Sequence, residues 1–66
     1  MQSELVMIND DPWLTRESAA KYLGLEKKTL ANWACSGVGP RFARVGGRPR
    51  YRLSDLEAWV EARYVS

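Results

Sequence analysis

The sequence predicts a mostly α fold with a small β-hairpin, in the order helix, helix, hairpin, helix. Three observations carry that expectation. Two short amphipathic stretches, each closed by a glycine, are separated by only Gly24-Leu25-Glu26. Gly46-Gly47-Arg48-Pro49 then divides two short strand-like segments. Finally, Ser54-Asp55-Leu56-Glu57 opens a third amphipathic stretch.

Residues 1–12 read as a flexible N-terminal tail, because Asp10-Asp11-Pro12 is a turn signal and the residue before a proline avoids the helical region. The apolar run at 5–8 fits either an edge strand or packing on the domain. The domain itself is assigned to residues 13–66, with Trp13 expected to pack over the start of the first helix. Thr15 reads as the N-cap of that helix, and Glu17 in its first turn complements the helix dipole. Ala19, Tyr22 and Leu23 form its inward face, and Gly24 supplies the left-handed residue that ends it. A helix of about two and a half turns needs a tertiary partner. The partner follows over 27–35, with Glu26 as an atypical N-cap, Leu30, Trp33 and Ala34 on one face, and Gly37 as terminator. Helices so short and so closely joined must cross steeply, which is helix-turn-helix geometry.

The hairpin is expected over 41–45 and 50–53 with a four-residue connection. On the return strand Tyr51 and Leu53 share one face, and Arg50 and Arg52 the other. Phe42 and Val45 lie three apart and break strict alternation, which a bulge or a shorter strand accommodates. Ser54 and Glu57 are spaced as a capping box for the last helix, whose core face is Leu56, Trp59 and Val60. Glu61 and Arg63 lie outside, and the helix frays near Tyr64.

Sixty-six residues, 45% of them apolar, suit one small globular domain. A core of this size rarely supplies more than ~3–5 kcal/mol. The single cysteine, Cys35, allows no internal disulfide, and with no histidine it assembles no zinc site. The missing histidine also removes the commonest general base. Asp55, Glu57 and Glu61 occupy a helix start and its outer face, a poor arrangement for a catalytic pair. The expectation is therefore a binding module, not an enzyme, with no catalytic, cofactor or metal residues. No apolar run approaches the ~18 residues of a membrane span. The lone thiol, read as inert, fits a reducing cytoplasm.

The net charge is only +2, but its distribution is uneven. Lys27, Lys28, Arg41, Arg44, Arg48, Arg50 and Arg52 follow one another without an intervening Asp or Glu, so residues 27–52 carry +7 and the remainder −5. A one-signed run of that length reads as an anion-binding surface rather than a solvated face.

Leu14-Thr15-Arg16-Glu17-Ser18-Ala19-Ala20-Lys21-Tyr22-Leu23-Gly24-Leu25 and Thr29-Leu30-Ala31-Asn32-Trp33 resemble the opening of the excisionase-type, MerR-like winged helix-turn-helix family. Gly39-Pro40-Arg41-Phe42 and Arg50-Tyr51-Arg52-Leu53-Ser54-Asp55-Leu56-Glu57-Ala58-Trp59 continue the resemblance, which covers about residues 13–63. It departs at Glu26, where the family commonly has a small polar cap. The resemblance implies a fold whose second helix enters the DNA major groove and whose wing meets the backbone or minor groove. Short members include excisionases of phages and integrative elements and AlpA-like prophage regulators. Longer regulators continue into a dimerisation helix, so a chain ending at Ser66 is expected to be an excisionase, with a prophage-type transcriptional regulator as the alternative. A third reading, without DNA, is an adaptor whose basic wing meets an acidic protein. Expected partners are double-stranded DNA, an integrase or other recombinase, and further copies bound cooperatively, in a cytoplasmic, nucleoid-associated setting.

On the second helix Lys28 and Asn32, with Lys27 and Ala31 nearer the edge, lie opposite Leu30 and Trp33, and together with Thr29 they are the candidate recognition residues. Asparagine suits bidentate contact with adenine, and lysine suits guanine acceptors or phosphate. The same Asn32 is also an ordinary polar surface residue, and Thr29 serves equally to bond phosphate or its own first turn. The candidate wing residues are Arg41, Arg44, Gly47, Arg48, Arg50 and Arg52, where glycines permit close backbone approach and arginines reach a narrow groove. Gly47-Arg48-Pro49-Arg50 resembles part of an AT-hook core, with Gly46 in place of its leading arginine. Trp33, Trp59, Tyr22 and Tyr51 all fall on inward faces and are expected in the core.

Overall fold

In the computed structural model, which describes residues 11–65, strand β1 (Trp13–Thr15) runs directly into helix α1 (Arg16–Leu23). Helix α2 (Lys27–Ser36), strands β2 (Ala43–Val45) and β3 (Arg48–Arg52), and helix α3 (Leu53–Glu61) follow. The readings of 1–10 as tail and of 5–8 as strand or packing segment lie outside the described residues. The strands form an antiparallel sheet in the order β1-β3-β2. Three helices with a hairpin between the second and third are a winged helix-turn-helix. The third strand is an addition to the sequence reading. Trp13 opens that strand, paired with Arg52, with Leu14 opposite Tyr51 and Thr15 opposite Arg50, and its side chain is 45% exposed.

The first two helices start and stop as their sequences dictate. Thr15 Oγ1 accepts the Ser18 amide at 3.0 Å, the N-cap bond that a threonine at this position offers. Gly24 and Gly37 both adopt φ of +74°, and the Leu25 and Val38 amides bond back to Ala20 and Trp33 carbonyls at 2.8 and 2.9 Å. Each helix thus ends in a Schellman turn.

The hairpin differs from the expected one. Val45 pairs with Arg48, so the connection is the two residues Gly46-Gly47, with φ of +61° and +81°. Positive φ at both central positions defines the tight turn that matches strand twist, and only glycine takes it without strain. The outgoing strand starts at Ala43, so Phe42 lies outside it and no bulge is needed. Pro49 sits in the central strand opposite Arg44. That pair is one removed from the turn and so not hydrogen-bonded across β2–β3, and β1 has ended at Thr15, so the absent proline N–H leaves no gap in either ladder.

The last helix is not closed by the expected capping box. Ser54 donates its amide to Asp11 Oδ1 at 2.7 Å and its hydroxyl to Asp11 Oδ2 at 2.9 Å, and the Leu53 amide bonds the Pro12 carbonyl at 3.0 Å. Glu57 has no part in this cap. Asp11 and Pro12, assigned by the sequence to the tail, are tied to α3.

Ala19, Ala20, Leu30, Tyr51 and Leu56 are buried, with Leu14, Leu23, Leu25, Trp33 and Phe42 packed against them. Two inward assignments fail. Tyr22 is 50% exposed, because α1 approaches its neighbours through Ala19 and Ala20, which bring the backbones closer than a tyrosine permits. Val60 lies on the rim, 36% exposed, while Leu56 takes the buried position of α3. Trp33 and Trp59 are half-buried and meet in a tilted pair, with centroids 5.5 Å apart, that joins α2 to α3. Gly39, with φ of +84°, lies so close to this pair that an added Cβ meets Trp33 Cε3 at 2.8 Å.

Two stability predictions follow from these contacts. Gly39→Ala forces a left-handed alanine, about 1–2 kcal/mol, as well as the clash with Trp33. The thermal midpoint is expected to fall by more than about 5 °C in a circular-dichroism melt, and an unchanged midpoint contradicts the packing. Asp11→Ala removes a cap worth ~0.5–2 kcal/mol, whereas Asp11→Asn retains most of it. Equal midpoints for the two variants would show that Asp11 does not cap α3.

Candidate nucleic-acid interface

Helix α2 turns Leu30 and Trp33 inward, which leaves Lys27, Lys28 and Asn32 exposed and Thr29 and Ala31 half-buried at the edges of the same surface. Lys28 and Asn32 are one turn apart, side by side. The helix begins without a side-chain cap, since Glu26 makes no such bond, and its carbonyl instead accepts the Thr29 and Leu30 amides.

The hairpin divides its arginines between two faces. Side chains directly opposite one another in a ladder share a face. Arg48, Arg50 and Arg52 therefore lie on one face of β3, and Tyr51 on the other faces the core. Arg44, opposite Pro49, belongs to the Tyr51 face, beyond the edge of the core, and its guanidinium carbon is 5.8 Å from the Phe42 ring centre. Gly46 and Gly47 at the tip have open space where a side chain would stand.

Ion pairs sort these cations further. Arg41 lies 3.8 Å from Asp55, and Arg52 lies 3.6 Å from Asp11 with its guanidinium over Trp13 at 4.4 Å. Both are drawn toward the start of α3. Among the described residues no carboxylate lies within ion-pair distance of Arg44, Arg48, Arg50, Lys27 or Lys28. The Arg50 guanidinium is steadied by donating to the Pro49 carbonyl at 2.8 Å.

A solvent-open cleft of about 270 Å³ lies where these elements meet. Thr15, Arg16 and Glu17 form one side, Lys27 the start of α2, and Arg48, Pro49 and Arg50 the hairpin side. Of the residues singled out by the sequence, Lys27, Arg48 and Arg50 are brought together here, Lys28 and Asn32 extend the surface along α2, and Arg41 and Arg52 lie elsewhere. Arg16 and Glu17 lie outside the sequence-predicted set yet line the cleft. A charge count by segment placed Arg16 with the acidic remainder, whereas the β1–α1 junction carries it to the basic side. Apart from Glu17, the charged side chains that line the cleft are all cationic. Among the described residues no cluster of acidic, cysteine or histidine side chains is arranged to hold a metal, and no helix is long and apolar enough to cross a membrane.

The profile of a family described as Helix-turn-helix domain matches residues 13–64. The chain belongs to that family. The match spans every element from β1 to α3, including the cleft, and the helix-turn-helix family is one of DNA-binding domains rather than of enzymes. Comparison with curated proteins finds no match.

Proposed function

We propose that this helix-turn-helix protein binds DNA sequence-specifically and acts as an excisionase, several copies bending the DNA and assisting an integrase. The observation that carries the reading is the convergence of Lys27, Arg48 and Arg50 on one cleft beside the exposed Lys28–Asn32 row, with no carboxylate among the described residues paired to any of them. In this reading α2 lies in the major groove, Asn32 and Lys28 read base edges, and the hairpin meets the flanking backbone or minor groove. One short helix reads few base pairs, so specificity comes from copies bound side by side. Bending a short site costs of order 1–6 kcal/mol, which several phosphate-neutralising copies offset. An integrase-dependent recombination assay tests the role. Stimulated excision supports it, and DNA binding without any effect on recombination assigns the protein to transcription regulation instead.

Two binding predictions accompany this reading. With about five cations on phosphates, the log–log salt slope for duplex DNA is expected near −4 to −5, a loss of a few hundred-fold between 50 and 200 mM salt. A flat salt response in fluorescence anisotropy removes the nucleic-acid reading. Asn32→Ala is expected to shrink the ratio of specific to non-specific affinity by ~1–3 kcal/mol with the salt slope unchanged. Arg48→Ala should weaken all sequences alike and lower the slope by about one. The reverse pattern would make the wing the base reader.

A further inference from the structure

Arg16 is the first residue of α1 and half-buried. Its Nε donates to the Tyr51 hydroxyl at 3.2 Å, and Tyr51 is 1% exposed and stacked on Phe42 with centroids 5.3 Å apart. The guanidinium carbon lies 5.4 Å from the Phe42 ring centre and 6.0 Å from that of Tyr51. The guanidinium is thus fixed at one nitrogen and supported by two aromatic rings, while its terminal nitrogens make no hydrogen bond within the described residues. Arg44 lies against the same Phe42 ring at 5.8 Å, and Lys27 lines the same cleft as Arg16. The cations that line the cleft with Arg16 are Lys27, Arg48 and Arg50, and like charges gathered in one cleft repel one another unless an anion sits among them. The one carboxylate lining the cleft is Glu17, and no ion pair to Arg16 forms among the described residues.

We propose that Arg16 is a DNA-binding residue, holding a single backbone phosphate of the duplex at the seam between α2 and the hairpin, in the cleft it shares with Lys27, Arg48 and Arg50. This rests on the reading of the cleft as a DNA surface and adds a contact from a third element, the β1–α1 junction. The anchored fork suits a phosphodiester, whose two free oxygens accept parallel N–H bonds from one guanidinium. Tyr51 acts as a positioning residue: its hydroxyl fixes the guanidinium orientation from inside the core. Glu17 opposes the anion and limits how tightly the seat holds it.

The test is salt-dependent anisotropy on a fluorescent duplex with the full chain, comparing Arg16→Gln, Arg16→Lys and, as a charge control on the far side of α3, Arg63→Gln. Arg16→Gln is expected to lower affinity on the order of ten-fold near 100 mM salt and to reduce the slope by about one. Arg16→Lys restores the slope with part of the affinity, and Arg63→Gln leaves the slope unchanged. An Arg16→Gln variant with a wild-type slope overturns the proposal while leaving DNA binding intact, and so does an equal loss in Arg63→Gln. A flat slope in the unmodified protein sinks the DNA reading beneath it. Should Arg16→Gln fail to fold, the wild-type protein decides the matter by nuclear magnetic resonance. The Arg16 Nε–H signal shifts on adding duplex if the seat is used, and an unmoved signal at saturating DNA overturns it.

Discussion

Tyr51 must be buried, and the rest of the fold is arranged around that requirement. It stands on β3, the strand that contacts both other strands, α1 and α3. Its ring is covered by Phe42, its cross-strand neighbour is Leu14, and its hydroxyl accepts from Arg16. Full burial of a large side chain contributes about 3 kcal/mol, comparable with the net stability of ~3–5 kcal/mol for a domain this size. With a single cysteine, the chain has no internal disulfide to stand in for it. A buried phenol also needs a polar partner, and the partner here is the half-buried guanidinium of Arg16. On the proposed reading, core and binding surface are joined through that one hydroxyl.

Electrostatics then sorts the basic residues into two uses. Arg41 and Arg52 are placed against Asp55 and Asp11, where surface pairs contribute little but fix the approach to α3. Arg63 caps the same helix from its far end, donating to the Trp59 carbonyl at 3.0 Å and lying over the indole at 4.0 Å. The remaining cations of α2 and the hairpin have no carboxylate within ion-pair distance among the described residues. A run of seven positive charges in the sequence is thus a mixture of arginines paired near the start of α3 and cations left without an acidic partner there, and tertiary placement separates them.

The order of helices and hairpin was legible because its signals are local: Thr15 and Gly24 bound one helix, Gly37 ends the next, and Gly46-Gly47 makes a turn. What escaped depends on distant partners. Trp13–Thr15 is too short to show a period and becomes a strand only because β3 offers an open edge. Arg48 and Pro49 join β3 by pairing with Val45 and Arg44 of β2, which shortens the turn from four residues to two. The α3 cap arises from Asp11, forty-three positions before Ser54, so a plausible local box displaced the real donor–acceptor pair in the sequence reading. Tyr22 looked inward by spacing, yet the adjacent alanines decided how close α1 comes. For the binding surface, the exposure of Lys28 and Asn32 could be read from helical periodicity. The position of Arg16 could not, since it depends on where a strand ends and a helix begins.

Both strand-to-helix junctions lack a loop: Thr15 is followed by α1 at Arg16, and Arg52 by α3 at Leu53. The wing is consequently no flap. A hinged hairpin would surrender about 1–2 kcal/mol of backbone entropy for each residue it ordered on contact, and here that ordering is complete before any ligand arrives. The gap between α2 and the hairpin is set by packing, since α1 contacts both α2 and β3. On the proposed reading it is the double helix that must deform to fill that gap, so the stiffness of each DNA sequence becomes part of what the protein measures.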